Sequence, residues 1–126
     1  MNYRKIQRVK NKIKSIVMAT RYKKCDCENY RSDNEIDYKE ARDMIQQKDG
    51  VLLIDVRSNA EYQEGHLSGA MNIPLEEIEL RSRNINKDTD IILYCQTGVR
   101  STRAYERLKG LGFSNVYTIK GGLNNI

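Results

Sequence analysis

The chain has 126 residues, 39% of them hydrophobic and 31% charged, with a net charge of +5, three cysteines and one histidine. That length holds one domain plus a tail, and no apolar run approaches the roughly 18 residues that a membrane span needs. The odd cysteine count argues against a disulfide framework, which makes a reducing cytoplasm the simplest setting.

The positive charge is concentrated at one end. Residues 1–24 carry nine Lys or Arg and no acid, whereas the remainder holds thirteen basic against seventeen acidic residues, a balance of −4. Within that first stretch Tyr3, Ile6, Val9, Ile13, Ile16 and Val17 recur at three- and four-residue spacing between cations. The pattern predicts a basic amphipathic helix. Such a helix can lie on an anionic membrane surface or dock on an acidic protein, which allows a peripheral membrane association. It can also pack its apolar stripe on its own domain or on a second copy. Nucleic acid is the weakest option, because the rest of the chain lacks a matching basic pattern. Residues 25–34 are polar and read as a linker. Cys25 and Cys27 in it are too few, with His66 the single histidine, to close a zinc site, so no metal is expected. They read as exposed thiols; a sulfur-accepting or disulfide-forming pair is the alternative, weakened by Asp26 and Glu28, whose charges raise thiol pKa values.

A domain over 35–126 then alternates strand and helix. Glu35–Asp37 reads as a strand. Tyr38–Gln47 reads as a helix, with Ala41, Met44 and Ile45 on one face, ending by Gly50. Val51–Asp55 is a strand, Asn59–Gln63 a short helix capped by Ser58 or Asn59, and Ala70–Asn72 a short strand. Pro74 suits the first turn of a helix from Leu75 to about Arg83. Ile91–Tyr94 and Val116–Ile119 are the last strands, separated by a helix after Arg100 with Ala104, Leu108 and Leu111 at helical spacing, stopped by Gly110 and Gly112. Nearly all-apolar strands alternating with helices predict an α/β fold: a central, mostly parallel sheet of about five short strands with helices on both faces.

The segment Cys95-Gln96-Thr97-Gly98-Val99-Arg100-Ser101 links a strand to a helix. Open α/β sheets bind ligands at that end of their strands. Loop N–H groups and the helix N-terminus favour negative charge there, and a thiolate is such a charge. Cys95 is therefore expected to titrate below a free thiol and to be nucleophilic near neutral pH. Gly98 permits the positive φ of a tight cradle, Arg100 supplies a fixed cation with several donors, and Thr97 and Ser101 add hydroxyls. A buried cysteine acting only as a small hydrophobe is the bland alternative.

With these residues in view the sequence resembles the rhodanese family. The likeness extends to Leu52-Leu53-Ile54-Asp55-Val56-Arg57, to Glu61-Tyr62 followed by Gly65-His66-Leu67-Ser68-Gly69-Ala70, to Asn72-Ile73-Pro74 and to Gly121-Gly122-Leu123, in the order a single domain of the family requires. The resemblance implies a single-domain sulfurtransferase working through a Cys95 persulfide. Cys95 and Arg100 would be catalytic, with Gln96, Thr97, Gly98, Val99 and Ser101 forming the anion-cradling loop. Asp55 would brace that loop by hydrogen bonds. Arg57 would be structural, paired with an acid such as Glu61, and His66 structural rather than a base. No cofactor is implied. The partners would be a small sulfane donor and a thiol, cyanide or protein acceptor. A non-catalytic sulfur carrier or regulatory module of the same fold is the alternative. Phosphatase or arsenate reductase chemistry is disfavoured, because the resemblance associates it with a loop one residue longer.

Overall fold

The computed structural model describes residues 34–126. The expected amphipathic segment, the boundaries at 24 and 25 and the thiols of Cys25 and Cys27 lie outside the described residues.

The elements follow in the order β1 (Glu35–Ile36), α1 (Tyr38–Gln47), β2 (Leu52–Asp55), α2 (Asn59–Glu64), β3 (Met71–Asn72), α3 (Ile78–Arg81), β4 (Ile91–Tyr94), α4 (Val99–Gly110) and β5 (Val116–Ile119). Short 3₁₀ turns cover Leu75–Glu77, Ser82–Asn84 and Gly122–Asn125. All five strands are parallel, in the order β1-β5-β4-β2-β3. The most apolar strand, β4, is fully buried near the middle of the sheet, as expected for a strand covered on both faces.

Period-two alternation divides the core. Ile54, Leu93 and Val116 point to one face and pack with Ile78 of α3 and with Ala104, Leu108 and Phe113. Leu53 points to the other and lines a cavity of about 210 Å³ with Ala41 and Ile45 of α1.

Several boundaries shift by a residue or more from the sequence reading, and three of the differences have a clear physical cause. Asp37 leaves the first strand because it caps α1: its carboxylate accepts the Glu40 N–H at 2.8 Å, and its own N–H donates to the Glu40 carboxylate at 2.8 Å, a reciprocal capping box. The helix expected from Leu75 to about Arg83 is three short pieces. Only Ile78 and Ser82 are buried there while Leu80 is 62% exposed, too narrow an apolar stripe to hold a longer α-helix, so its ends tighten into 3₁₀ turns. Leu111 is the residue just past α4 and is exposed; Phe113, with its N–H on the Leu108 carbonyl at 3.1 Å, fills the core place instead.

Candidate active site

Cys95 follows β4 directly and is completely buried. The chain then turns through Gln96 and Thr97 to Gly98, whose φ of +104° is open to glycine at little cost. Helix α4 starts at Val99, so Arg100 and Ser101 lie in its first turn rather than before it. This turn folds the backbone over the sulfur. The Gly98 N–H donates to Cys95 Sγ at 3.0 Å and the Ser101 N–H at 3.4 Å. The Ser101 hydroxyl lies 3.7 Å from the sulfur and donates to the Gly98 carbonyl at 3.2 Å. Burial pushes the Cys95 thiol up, but the Ser101 N–H and hydroxyl together with the Gly98 and Thr97 N–H groups outweigh it and leave the thiol below its ordinary value.

Amides can face inward only if the carbonyls face outward and find partners there. The last turn of the chain supplies them. The Leu123 N–H donates to the Cys95 carbonyl and the Asn124 N–H to the Gln96 carbonyl, each at 3.0 Å. The Gln96 side-chain amide donates to Asn124 Oδ1 at 2.7 Å. Gly122 makes this approach possible: a Cβ on it would collide with the Cys95 carbonyl oxygen and stand 2.7 Å from the Gln96 carbonyl carbon. Its φ is +60°. Gly122→Ala is therefore expected to lower stability by about 2–4 kcal/mol, from left-handed strain plus overpacking. It should also slow reaction of Cys95 with thiol reagents; a thermal melt and a labelling rate measure the two effects.

Two ion pairs flank the cradle. Asp55, at the end of β2, and Arg57 are both buried, with 2.8 Å between Oδ2 and Nη2. The Arg57 Nε donates to both carboxylate oxygens and its N–H to Oδ1. The guanidinium also donates to the Gly65 carbonyl at 2.6 Å and to Gln96 Oε1 at 3.3 Å. Arg100 bridges to Glu61 of α2 through two bonds of 2.8 and 3.2 Å. Glu61 also accepts from the N–H and hydroxyl of Ser58 at the start of α2. The Arg100 guanidinium, helped by the Ser58 N–H, lowers the Glu61 carboxyl to about 2.

The geometry thus re-sorts the expected roles. Arg57 pairs with Asp55 and not with Glu61, because Asp55 is two residues away in the same buried turn. Glu61 is left for Arg100. Asp55 reaches the loop through Arg57 and Gln96. His66 is exposed and stacks on Tyr62, with ring centroids 3.7 Å apart and Nδ1 2.9 Å from the Tyr62 carbonyl. The loop residues Thr97 and Val99 point to solvent, Val99 at 58% exposure. The Gly122–Asn124 turn and Tyr94 both have mechanical roles that their surroundings in the chain do not announce. The buried Tyr94 hydroxyl accepts the Leu67 N–H at 2.9 Å and ties the segment after α2 to the sheet. In the sequence, the adjacent glycines Gly121 and Gly122 are the one sign of the first of these.

The profile of the rhodanese-like domain family matches residues 37–126. The chain belongs to this family. A protein named sulfurtransferase from Allochromatium vinosum is 34% identical over 90 residues, covering 71% of this chain and 84% of that protein. The Bacillus subtilis protein YqhL is 46% identical over 70 residues, and the chain spans 56% of its length. The crystal structure of a rhodanese-like domain protein from Staphylococcus aureus superposes with a TM-score of 0.67 at 26% identity, over 73% of this chain and 89% of that one. The α/β architecture with its five-stranded parallel sheet is the rhodanese-like one. No helix among the described residues is long and apolar enough to cross a membrane.

Proposed function

We propose that this rhodanese-like protein is a sulfurtransferase that carries sulfane sulfur on Cys95. The observation that supports this most is the pair of backbone N–H groups, of Gly98 and Ser101, aimed at a buried sulfur whose pKa is lowered. Such a cradle stabilises an anion on sulfur before, during and after transfer. The Cys95 thiolate attacks the outer sulfur of a donor. A new S–S bond forms at Cys95, and the donor's own bond to that sulfur breaks, its electron pair leaving with the donor remnant. An acceptor nucleophile then attacks the outer sulfur of the persulfide and returns the electron pair to Cys95 as thiolate. Neither half needs an outside oxidant, a metal or an organic cofactor.

In this reading Gln96, Thr97, Gly98, Val99 and Ser101 form the cradle, while Arg100 fastens it to α2 through Glu61. Asp55 and Arg57 hold it from below. Mass spectrometry after exposure to a sulfane donor tests the reading: about 32 Da, one sulfur atom, should be added to the Cys95 peptide and removed by cyanide as thiocyanate. Turnover with a small acceptor distinguishes an enzyme from a carrier that is loaded and unloaded by dedicated proteins.

The lowered thiol sets the expected pH dependence. The thiolate is the nucleophile, so kcat/KM for the loading step should rise with pH through a midpoint below 9.0, the ordinary thiol value, and level off above that midpoint. A midpoint at or above that value would show that the cradle does not stabilise the thiolate.

The basic segment 1–24 is proposed to be an address for an anionic membrane surface or an acidic protein in the cytoplasm, separate from the catalytic domain. Deleting residues 1–28 should leave turnover with a small donor within about twofold, and should remove salt-dependent binding to anionic vesicles, since each surface cation adds about 1 kcal/mol there. Lower thermal stability after the deletion, with no vesicle binding by the full chain, would show that the segment packs on the domain instead.

A further inference from the structure

We infer that Glu61 sets the charge of the donor: by neutralising Arg100 it tunes the cradle to sulfane donors with a single negative charge, the class of organic persulfides and thiosulfonates, over dianionic ones. This rests on the sulfurtransfer reading of Cys95.

The cradle is flanked by two guanidiniums, which by themselves would make it a strongly cationic cup. Each is already neutralised. Arg57 is buried against Asp55 and also held by the Gly65 carbonyl. Arg100 is held at two points by Glu61. These groups feel one another: Glu61, Asp55 and the Cys95 sulfur all act on Arg100 through their charge, and Asp55 and Glu61 act on Arg57. The cluster therefore contains two cations and, with the thiolate formed, three anions, a balance of −1. The residue after the cysteine adds no charge. Its amide is tied at both ends, to Arg57 and to Asn124. Arg103 and Lys120 are exposed, so solvent and salt screen them from a buried sulfur.

The donor's charge then matters directly. With thiosulfate the reacting atoms carry three negative charges: the thiolate plus a dianion gives the Cys95 persulfide anion and sulfite dianion. With a thiosulfonate or a persulfide anion they carry two: the products are the persulfide anion and a sulfinate or a thiolate. The Gly98 and Ser101 amides serve both cases equally. The extra charge of thiosulfate meets a site with no uncompensated cation, where Coulomb repulsion in the partly desolvated cup is stronger than in water.

Methanethiosulfonate and thiosulfate present the same sulfane sulfur on a sulfonyl centre and differ by one charge, so they serve as probes alongside glutathione persulfide. The quantity read is the ratio of kcat/KM for thiosulfate to that for methanethiosulfonate, compared between wild type and Glu61→Gln. Comparing variants cancels the intrinsic difference between the two leaving groups. Glutamine keeps an oxygen for the Ser58 N–H, so the cap of α2 is retained. Removing one negative charge should raise the ratio about tenfold. Gln96→Lys, which adds a cation without touching Glu61, should move it in the same direction and stands in if Glu61→Gln does not fold. A ratio unchanged in a folded variant that still takes sulfur overturns the inference and leaves the sulfurtransfer reading intact. No sulfur gained by wild type from any of the three donors overturns both.

Discussion

Cys95→Ser should reduce sulfane-dependent thiocyanate formation by about a thousandfold or more, to the background of the uncatalysed reaction, with the domain still folded. Serine is close in size, so the buried site remains filled, and its hydroxyl can still meet the Ser101 and Gly98 groups. It cannot hold a sulfane sulfur as a persulfide anion. The measurement pairs a cyanide assay with mass spectrometry and a thermal melt. Substantial activity in the folded variant, or the added sulfur mass on a peptide containing Cys25 or Cys27, would move the chemistry away from this loop.

Asp55→Ala should cost about 3–5 kcal/mol, because it leaves the guanidinium of Arg57 buried without its counter-charge. Small domains have about 5–15 kcal/mol in total, so the variant should be largely unfolded at moderate temperature. Asp55→Asn keeps the shape and one acceptor for the Arg57 N–H and should fall between the two. Denaturant unfolding gives both values. The double variant Asp55→Ala with Arg57→Met removes the orphaned charge along with its partner. Its stability should recover part of the loss, as expected when a buried pair is replaced by apolar atoms. No recovery would mean that Arg57 matters mainly through its bonds to the Gly65 carbonyl and to Gln96.

The order of elements was legible because it rests on local physics. Ile91–Tyr94 is a run of apolar residues that must be covered on both faces, and the all-buried β4 follows from that. Gly98 between a strand and a helical pattern marks a tight turn, and the turn has the positive φ that glycine permits. The ion-pair partners were less legible. Arg57 and Arg100 both carry one positive charge, Asp55 and Glu61 one negative charge each, and sequence spacing does not say which pairs form. Burial at the end of β2 decided it by closing Asp55 and Arg57 on each other through two bonds to one guanidinium edge. Glu61 was then positioned by its own cap at Ser58, where the Arg100 guanidinium reaches it with two donors.

The sequence by itself determined that a cysteine stands between a buried strand and a helix, in a loop able to favour negative charge, within a parallel α/β domain. Period-two and helical patterns, a glycine and a short run of apolar residues carry that much, because each acts over a few neighbouring residues. Only the tertiary structure decided why the loop amides point inward. Their orientation depends on carbonyls held from outside by Leu123 and Asn124, the latter 28 residues beyond Gln96. It depends equally on a glycine without a side chain where two backbones meet. Contacts between segments so far apart leave no period in the chain, since they are fixed by how the sheet brings the end of β5 beside the end of β4.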